Sequence, residues 1–296
     1  RRPRPFMNPR SAPPSPPIVL TFAASDPTGG AGMQADLMTL SALGCYPLSV
    51  MTALTVQDTV GVGSVLAVPA DCVEEQARTL LADMPVAAFK MGLLGSIENI
   101  AVIAGIVADY PAIPLVLDPV LASGRGDELA DDEMIAGLRE LLLPLTTILT
   151  PNSLEARRLA EAADGFDAAA DDGGEAQQPA LAECAQKLLA LGCQYVLLTG
   201  THSNTERVIN TLHRRGLGLV RSDAWDRLPG SYHGSGCTLA SAIAASLACG
   251  LAVDEAVAVA QDYTWQSLAA GFRPGKGQFV PDRFFAARQR RAALDG

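Results

Sequence analysis

Short apolar runs alternate with helix-length amphipathic segments along almost the whole chain, and this alternation leaves few folds open. The runs 18–24 (IVLTFAA), 48–56 (LSVMTALTV), 87–91, 114–118, 146–150 and 195–199 have the length of buried strands. Between them, 32–43, 70–83, 97–109, 131–142, 152–163 and 180–191 read as helices, with Gly44 stopping the first. A hairpin is expected across 206–223, followed by two helices, 237–249 and 254–270. Repeated strand-then-helix units put helices on both faces of the sheet they cross over. The fold class is therefore α/β, with a central, mostly parallel β-sheet flanked by helices on both faces.

Bulk properties narrow the function. The chain is 49% hydrophobic and 18% charged, as a core-rich globular protein is. Its longest apolar runs, such as LVLDPV and 239–248, are too short or too polar to span a bilayer. The basic opening RRPRPFMNPRSAPPSPP meets proline where a signal peptide would carry its apolar centre. Residues 1–17 are read as a disordered leader, 18–285 as a single domain and 286–296 as a C-terminal tail. Within the domain, 164–179 is acidic, rich in Ala and Gly and without apolar period, which reads as a flexible insertion. A net charge of −10 with no basic stripe excludes nucleic acid as a partner. The six cysteines (45, 72, 184, 193, 237, 249) stand singly, as suits free thiols in a reducing cytoplasm.

Ligands of open α/β sheets gather at the carboxyl ends of the strands, and four segments carry unusual residues there. SDPTGGAGMQAD (25–36) is a glycine-rich turn into a helix, with neither dinucleotide nor P-loop spacing. Gln57 follows the second strand, and its amide offers a donor and an acceptor, as the edge of an aminopyrimidine requires. Asp118 ends a strand in LVLDPV, while Asn152 and Glu155 in ILTPNSLEARRL have capping-box spacing. Those three oxygens also suit a hydrated Mg²⁺ beside nucleotide phosphates, and both readings stand at this point. The richest segment is HGSGCTLASAIAASLA (233–248), where two glycines flank Ser235 at the start of a small-residue helix. Its N–H groups, at the positive end of the helix dipole, would make an anion hole for a phosphoryl group. Cys237 in the first turn is expected to have a lowered pKa and high reactivity, and Cys249 to be a buried structural thiol.

SDPTGGAGMQAD, TALTVQDT, KMGLL, LDPV, LTPNSLEA, LLTG and HGSGCTLASA occur in that order over about 18–280. In this combination the chain resembles the hydroxymethylpyrimidine/phosphomethylpyrimidine kinases of thiamin biosynthesis, within the ribokinase-like superfamily. The resemblance implies ATP and Mg²⁺ as cofactors, a small pyrimidine as substrate and a homodimer as the assembly. Two phosphorylations are implied, of the hydroxymethylpyrimidine and of its monophosphate. Pyridoxal or pyridoxine kinase, of the same superfamily, is the alternative. Residue by residue, the resemblance assigns Gln57, Asp36, Leu93 and Val120 to the pyrimidine pocket. It assigns Asn152, Thr199 and Gly200 to the nucleotide, and Asp118 and Glu155 to the metal–phosphate region. Gly234, Ser235 and Gly236 would form the anion hole, with Cys237 beside the reacting hydroxyl. Three departures stand out: LASGRGDE, where relatives carry a lysine and Arg125 is the candidate substitute; Ala24 in place of a glycine; and LLTGTH, with Thr201 and His202 unassigned.

Overall fold

The computed structural model describes residues 15–122, 126, 128–161, 180–200 and 206–295. Residues 1–14 of the leader, the 164–179 insertion, Arg125, Thr201 and His202 lie outside the described residues. In chain order the elements are β1 (Ile18–Ser25), α1 (Gly32–Ala42), β2 (Tyr46–Gln57), β3 (Val62–Ala67), α2 (Ala70–Asp83) and β4 (Val86–Met91). Then come α3 (Ile97–Ala108), β5 (Leu115–Leu117), α4 (Asp132–Gly137), β6 (Ile148–Leu149), α5 (Ser153–Glu161) and α6 (Leu181–Ala190). The chain ends in β7 (Tyr195–Leu198), β8 (Arg207–Arg214), β9 (Gly218–Asp226), α7 (Ser235–Ala248), α8 (Val253–Ala269) and α9 (Phe285–Asp295).

The strands form one sheet in the order β3-β2-β1-β4-β5-β6-β7-β8-β9. The central run from β2 to β7 is parallel, and β3, β8 and β9 add antiparallel edges. Successive strand residues point to opposite faces, and this divides the core. Val19, Ala88, Val116, Ile148 and Leu197 pack beneath Ala240 and Ile243 of α7 and Val257 and Ala260 of α8. Their neighbours Leu20, Phe89, Leu115, Leu117, Leu149 and Val196 face the other way, onto Ile100 and Ile103 of α3, Leu159 of α5 and Leu188 of α6. Each Leu or Phe buried in this way contributes about 1.5–3 kcal/mol. Helix α7 is buried nearly all round, and its alanines let it lie close to β1, β4 and β5.

The chain leaves β1 outward to β2, then returns past β1 to β4. That reversal opens a crevice at the carboxyl ends of β1 and β4, where ligands of such sheets bind. The first turn of α7 lies over it.

Four elements differ from expectation. Strand β3 was unanticipated, because Gly61 and Gly63 interrupt its apolar pattern, yet it pairs antiparallel with β2 from Ala53 to Gln57. The helix expected over 131–142 is α-helical only to Gly137; a π-helical turn (Leu138–Leu142) and a 3₁₀ turn (Leu143–Leu145) complete it, the latter around Pro144, which lacks an N–H for regular helix bonding. The hairpin runs on to Asp226. Residues 286–296, read as a tail, lie mostly in α9, which is anchored by Phe285 against the Tyr263 ring, 5.7 Å between centroids.

Candidate active site

A cleft of about 500 Å³ runs along the carboxyl ends of the strands, from β2 and β1 at one end to β7–β9 at the other. At the β1–β2 end its wall is apolar: Ala24, Leu93, Val120 and Leu129 pack together, and Gln57 and Thr55 supply the polar groups. In the middle lie Asp118, Glu155 and the segment Gly234–Cys237. At the far end are Asn152, Thr199, Asn210, Trp225, Gln261 and Trp265.

The turn into α7 is built for close approach. Gly234 caps the helix at φ +82°, and a Cβ there would sit 1.8 Å from the Gly30 carbonyl oxygen, so only glycine fits. It brings no side-chain cap, which leaves the first N–H groups of α7 free for an anion. Arg283, nearly buried, donates to the carbonyls of Gly29 (3.3 Å) and Gly30 (2.6 Å) and to Thr238 Oγ1 (3.0 Å). It ties the glycine-rich turn after β1 to the turn before α7. No sequence motif pointed to Arg283, because the two glycine carbonyls it holds lie more than 200 residues away.

Cys237 departs from expectation. Its side chain is buried in the first turn of α7, and its thiol is pushed up to about 12. Burial is the main cause, and the nearby Asp118 carboxylate adds to it; Lys90 and the Gly32 N–H oppose the shift too weakly to reverse it. The helix dipole therefore does not activate this thiol at neutral pH. Cys237 stands as a neutral thiol beside the Asp118 carboxylate. Cys249 is exposed just past the end of α7, not buried. Iodoacetamide is accordingly expected to alkylate Cys72 and Cys249, the two exposed thiols, well before Cys237. Peptide mass spectrometry over a time course checks this; Cys237 reacting as fast as Cys72 would show an open, activated thiol.

Asp36 also departs from expectation. It is absent from the cleft wall and fully buried beneath it, 2.8 Å from the Lys90 ammonium, itself fully buried. Thr21 Oγ1 (2.8 Å) and Ser241 Oγ (2.7 Å) donate to the same carboxylate. Ser241 lies one turn beyond Cys237, so this cluster holds α7 to α1, β1 and β4. Burial lowers the Lys90 pKa, but the Asp36 carboxylate, with Asp118 nearby, outweighs it and the net shift is upward, so Lys90 is charged. Lys90 was missed in the sequence; a lysine near the end of an apolar strand is the signal that would have pointed to a buried anion, though not to which one.

Asn152 and Glu155 do form the capping box. Asn152 Oδ1 accepts from the N–H groups of Leu154 (2.9 Å) and Glu155 (3.0 Å), and Glu155 Oε2 accepts from the Asn152 N–H (2.9 Å). They also line the cleft. Burial, reinforced by Asp118, pushes Glu155 up to about 8, and burial likewise raises Asp118. Asp118 Oδ2 is buried without a hydrogen-bond partner. Two mutually repelling carboxylates with an orphaned oxygen fit a divalent cation. Mg²⁺ needs only one or two carboxylates and fills its shell with phosphate oxygens and water. Thr199 pairs with Asn152 in an isolated bridge, while Gly200 lies behind the wall, its N–H donating to Asn210 Oδ1 (3.0 Å). The sequence reading missed Asn210, Gln261 and the stacked pair Trp225–Trp265, with centroids 6.3 Å apart.

An α/β sheet with a cleft at its switch point, an uncapped glycine turn and two carboxylates defines a small-molecule kinase of the ribokinase-like fold. Solved structures agree: pyridoxal kinase from Staphylococcus aureus in complex with pyridoxal superposes with a TM-score of 0.79 at 28% identity, over 93% of this chain and 96% of that one. Phosphomethylpyrimidine kinase from Clostridium difficile superposes with a TM-score of 0.69 at 32% identity, over 85% of this chain and 99% of that one. The sequence places it more closely. The family model of phosphomethylpyrimidine kinase matches residues 26–282. The hydroxymethylpyrimidine/phosphomethylpyrimidine kinase of Mycobacterium tuberculosis is 41% identical over 270 residues, 90% of this chain and 94% of that protein. This chain belongs to the phosphomethylpyrimidine kinase family.

Proposed function

We propose that the chain transfers the γ-phosphoryl group of ATP to the hydroxymethyl oxygen of 4-amino-5-hydroxymethyl-2-methylpyrimidine, then phosphorylates the monophosphate to the diphosphate used in thiamin synthesis. The observation that carries this reading is the uncapped α7 turn between two unlike halves of one cleft. The apolar half with Gln57 suits a flat methylated heteroaromatic ring. The half with Asn152, Thr199 and Trp225 suits a nucleotide. A phosphoryl group passing between them meets the N–H groups of Ser235–Cys237, and phosphoryl transfer depends mainly on such positioning and charge stabilisation.

Asp118 and Glu155 would hold Mg²⁺, which supplies charge neutralisation on the phosphates. Cys237, between Asp118 and the anion hole, would orient the acceptor hydroxyl and take part in moving its proton. Val120 and Leu93 would press the ring, and Gln57 would read its polar edge. All six cysteines are free thiols, and no described helix is long and apolar enough to cross a membrane; both suit the cytoplasmic site proposed for this enzyme.

Gln57→Leu tests the substrate half. It keeps the size but leaves the amine and ring nitrogen of the pyrimidine unpaired, a penalty of about 1–3 kcal/mol. The expected result is a fall of about 5- to 150-fold in kcat/KM for the hydroxymethylpyrimidine, with the KM for ATP unchanged. Coupled ADP release, with pyridoxal as the competing acceptor, measures both. A shift in the ATP value alone would reverse the assignment of the two halves.

A further inference from the structure

At the pyrimidine end, one hydrogen-bond cluster is over-determined. His233 Nε2 lies 2.8 Å from Asp26 Oδ2 and 2.9 Å from the Gln57 side-chain amide, and Thr55 Oγ1 bridges the other amide atom (3.0 Å) to the Ser25 carbonyl (2.9 Å). Asp26 is almost fully buried and also accepts from the N–H groups of Thr28 (2.9 Å) and Ala31 (2.8 Å), so it is a carboxylate with acceptor capacity only. His233 Nε2 must therefore carry a proton, whether the ring is neutral or charged. Two N–H groups cannot face each other at 2.9 Å, so the amide atom turned to His233 is the oxygen of Gln57. The two orientations of the amide differ only in where its nitrogen and oxygen lie, and donor counting decides between them. The His233 Nε2–H is then shared by the Asp26 carboxylate and the Gln57 oxygen, and no N–H faces another. The Gln57 amide nitrogen then donates to Thr55 Oγ1, and the single Thr55 proton is free for the Ser25 carbonyl. The opposite orientation would set one N–H against another at His233 and would also divide the Thr55 proton between two acceptors.

We propose that His233, held by Asp26, is a positioning residue that locks the Gln57 amide in one orientation and so sets which ring edge the enzyme accepts. This rests on the reading of Gln57 as the group that meets the pyrimidine. Locked in this way, Gln57 offers its second lone pair and its second N–H to the cleft in a fixed order. An aminopyrimidine edge, with an exocyclic amine beside a ring nitrogen, matches a fixed acceptor–donor pair; a freely flipping amide would also serve rings of the opposite polarity. The same histidine precedes Gly234, and its ring lies where a Cβ on Gly30 would intrude, 2.4 Å from Cδ2. Ring recognition and the anion-hole turn thus share one support.

The test is a double-mutant cycle in the full chain. His233→Phe removes the N–H donor. It is expected to lower kcat/KM for the hydroxymethylpyrimidine about tenfold, to leave the KM for ATP within about twofold, and to narrow the preference for the pyrimidine over pyridoxal. His233→Gln, which restores an N–H at similar reach, is expected to recover most of the loss. In a Gln57→Leu background, His233→Phe should cost nothing further. Thr55→Val, which removes the acceptor on the other side of the amide, should act in the same direction and keeps the idea testable if the Phe variant folds poorly. Equal losses with and without Gln57, no rescue by Gln, or a parallel rise in the KM for ATP would each overturn the lock. A Gln57→Leu protein with unaltered pyrimidine kinetics would overturn the pyrimidine role of Gln57 and the lock with it. A normal Gln57→Leu effect combined with failure of the cycle would sink the lock alone.

Discussion

Replacing Cys237 with alanine is expected to lower kcat by about 10²–10⁴ while folding and ATP binding survive, the range typical for loss of a proton-transfer group. The thiol is buried in the first turn of α7, near Asp118 and just after the Gly234 turn. Alanine leaves the backbone N–H groups and the Gly234 turn as they are, so only the proton path is lost. With the thiol pushed up to about 12, almost none of it is thiolate at neutral pH. A mechanism that needed a preformed thiolate would show a rate rising about tenfold per pH unit from 6 to 9. A thiol that passes its own proton towards Asp118 as it receives the alcohol's shows no such rise, and that flat profile is expected here. The deciding measurement is turnover of the Cys237→Ala protein at saturating substrates. A value within about threefold of the parent, roughly 0.65 kcal/mol, is too small for a lost proton-transfer group and would remove Cys237 from the chemistry.

The second large effect falls on stability. Lys90→Met is expected to cost about 3–5 kcal/mol, because it leaves Asp36 buried, charged and unpaired by any cation. Thr21 and Ser241 would still donate to the carboxylate, but two neutral hydroxyls do not replace an ammonium at 2.8 Å. Combining Lys90→Met with Asp36→Leu removes both charges and is expected to recover a large part of the loss. The urea midpoint of the two proteins measures the difference. A single Lys90→Met loss below about 1 kcal/mol would show that water or another group reaches Asp36, contrary to its complete burial.

The amino-acid sequence by itself determined the layered α/β architecture, since strands buried on both faces and amphipathic crossover helices leave their periods in the order of residues. It likewise determined the glycine turn into α7, because HGSGC carries its glycines, its helix start and its thiol within five consecutive positions. The capping box of Asn152 and Glu155 was legible for the same reason, with both partners three residues apart. Strand β3 escaped because pairing with β2, not propensity, holds a glycine-interrupted segment extended. Only the tertiary structure decided that Asp36 is a partner of Lys90 instead of a cleft residue, and that Arg283 clamps two glycine turns from the far end of the chain. Only it decided that the Cys237 pKa goes up: the helix dipole is written locally, whereas the burial and the Asp118 carboxylate that outweigh it come from other strands. Contacts close in sequence are set by local rules of geometry and capping. Electrostatic environment and long-range hydrogen bonds depend on which distant segments meet, and the chain specifies that meeting only once the sheet and α7 have packed together.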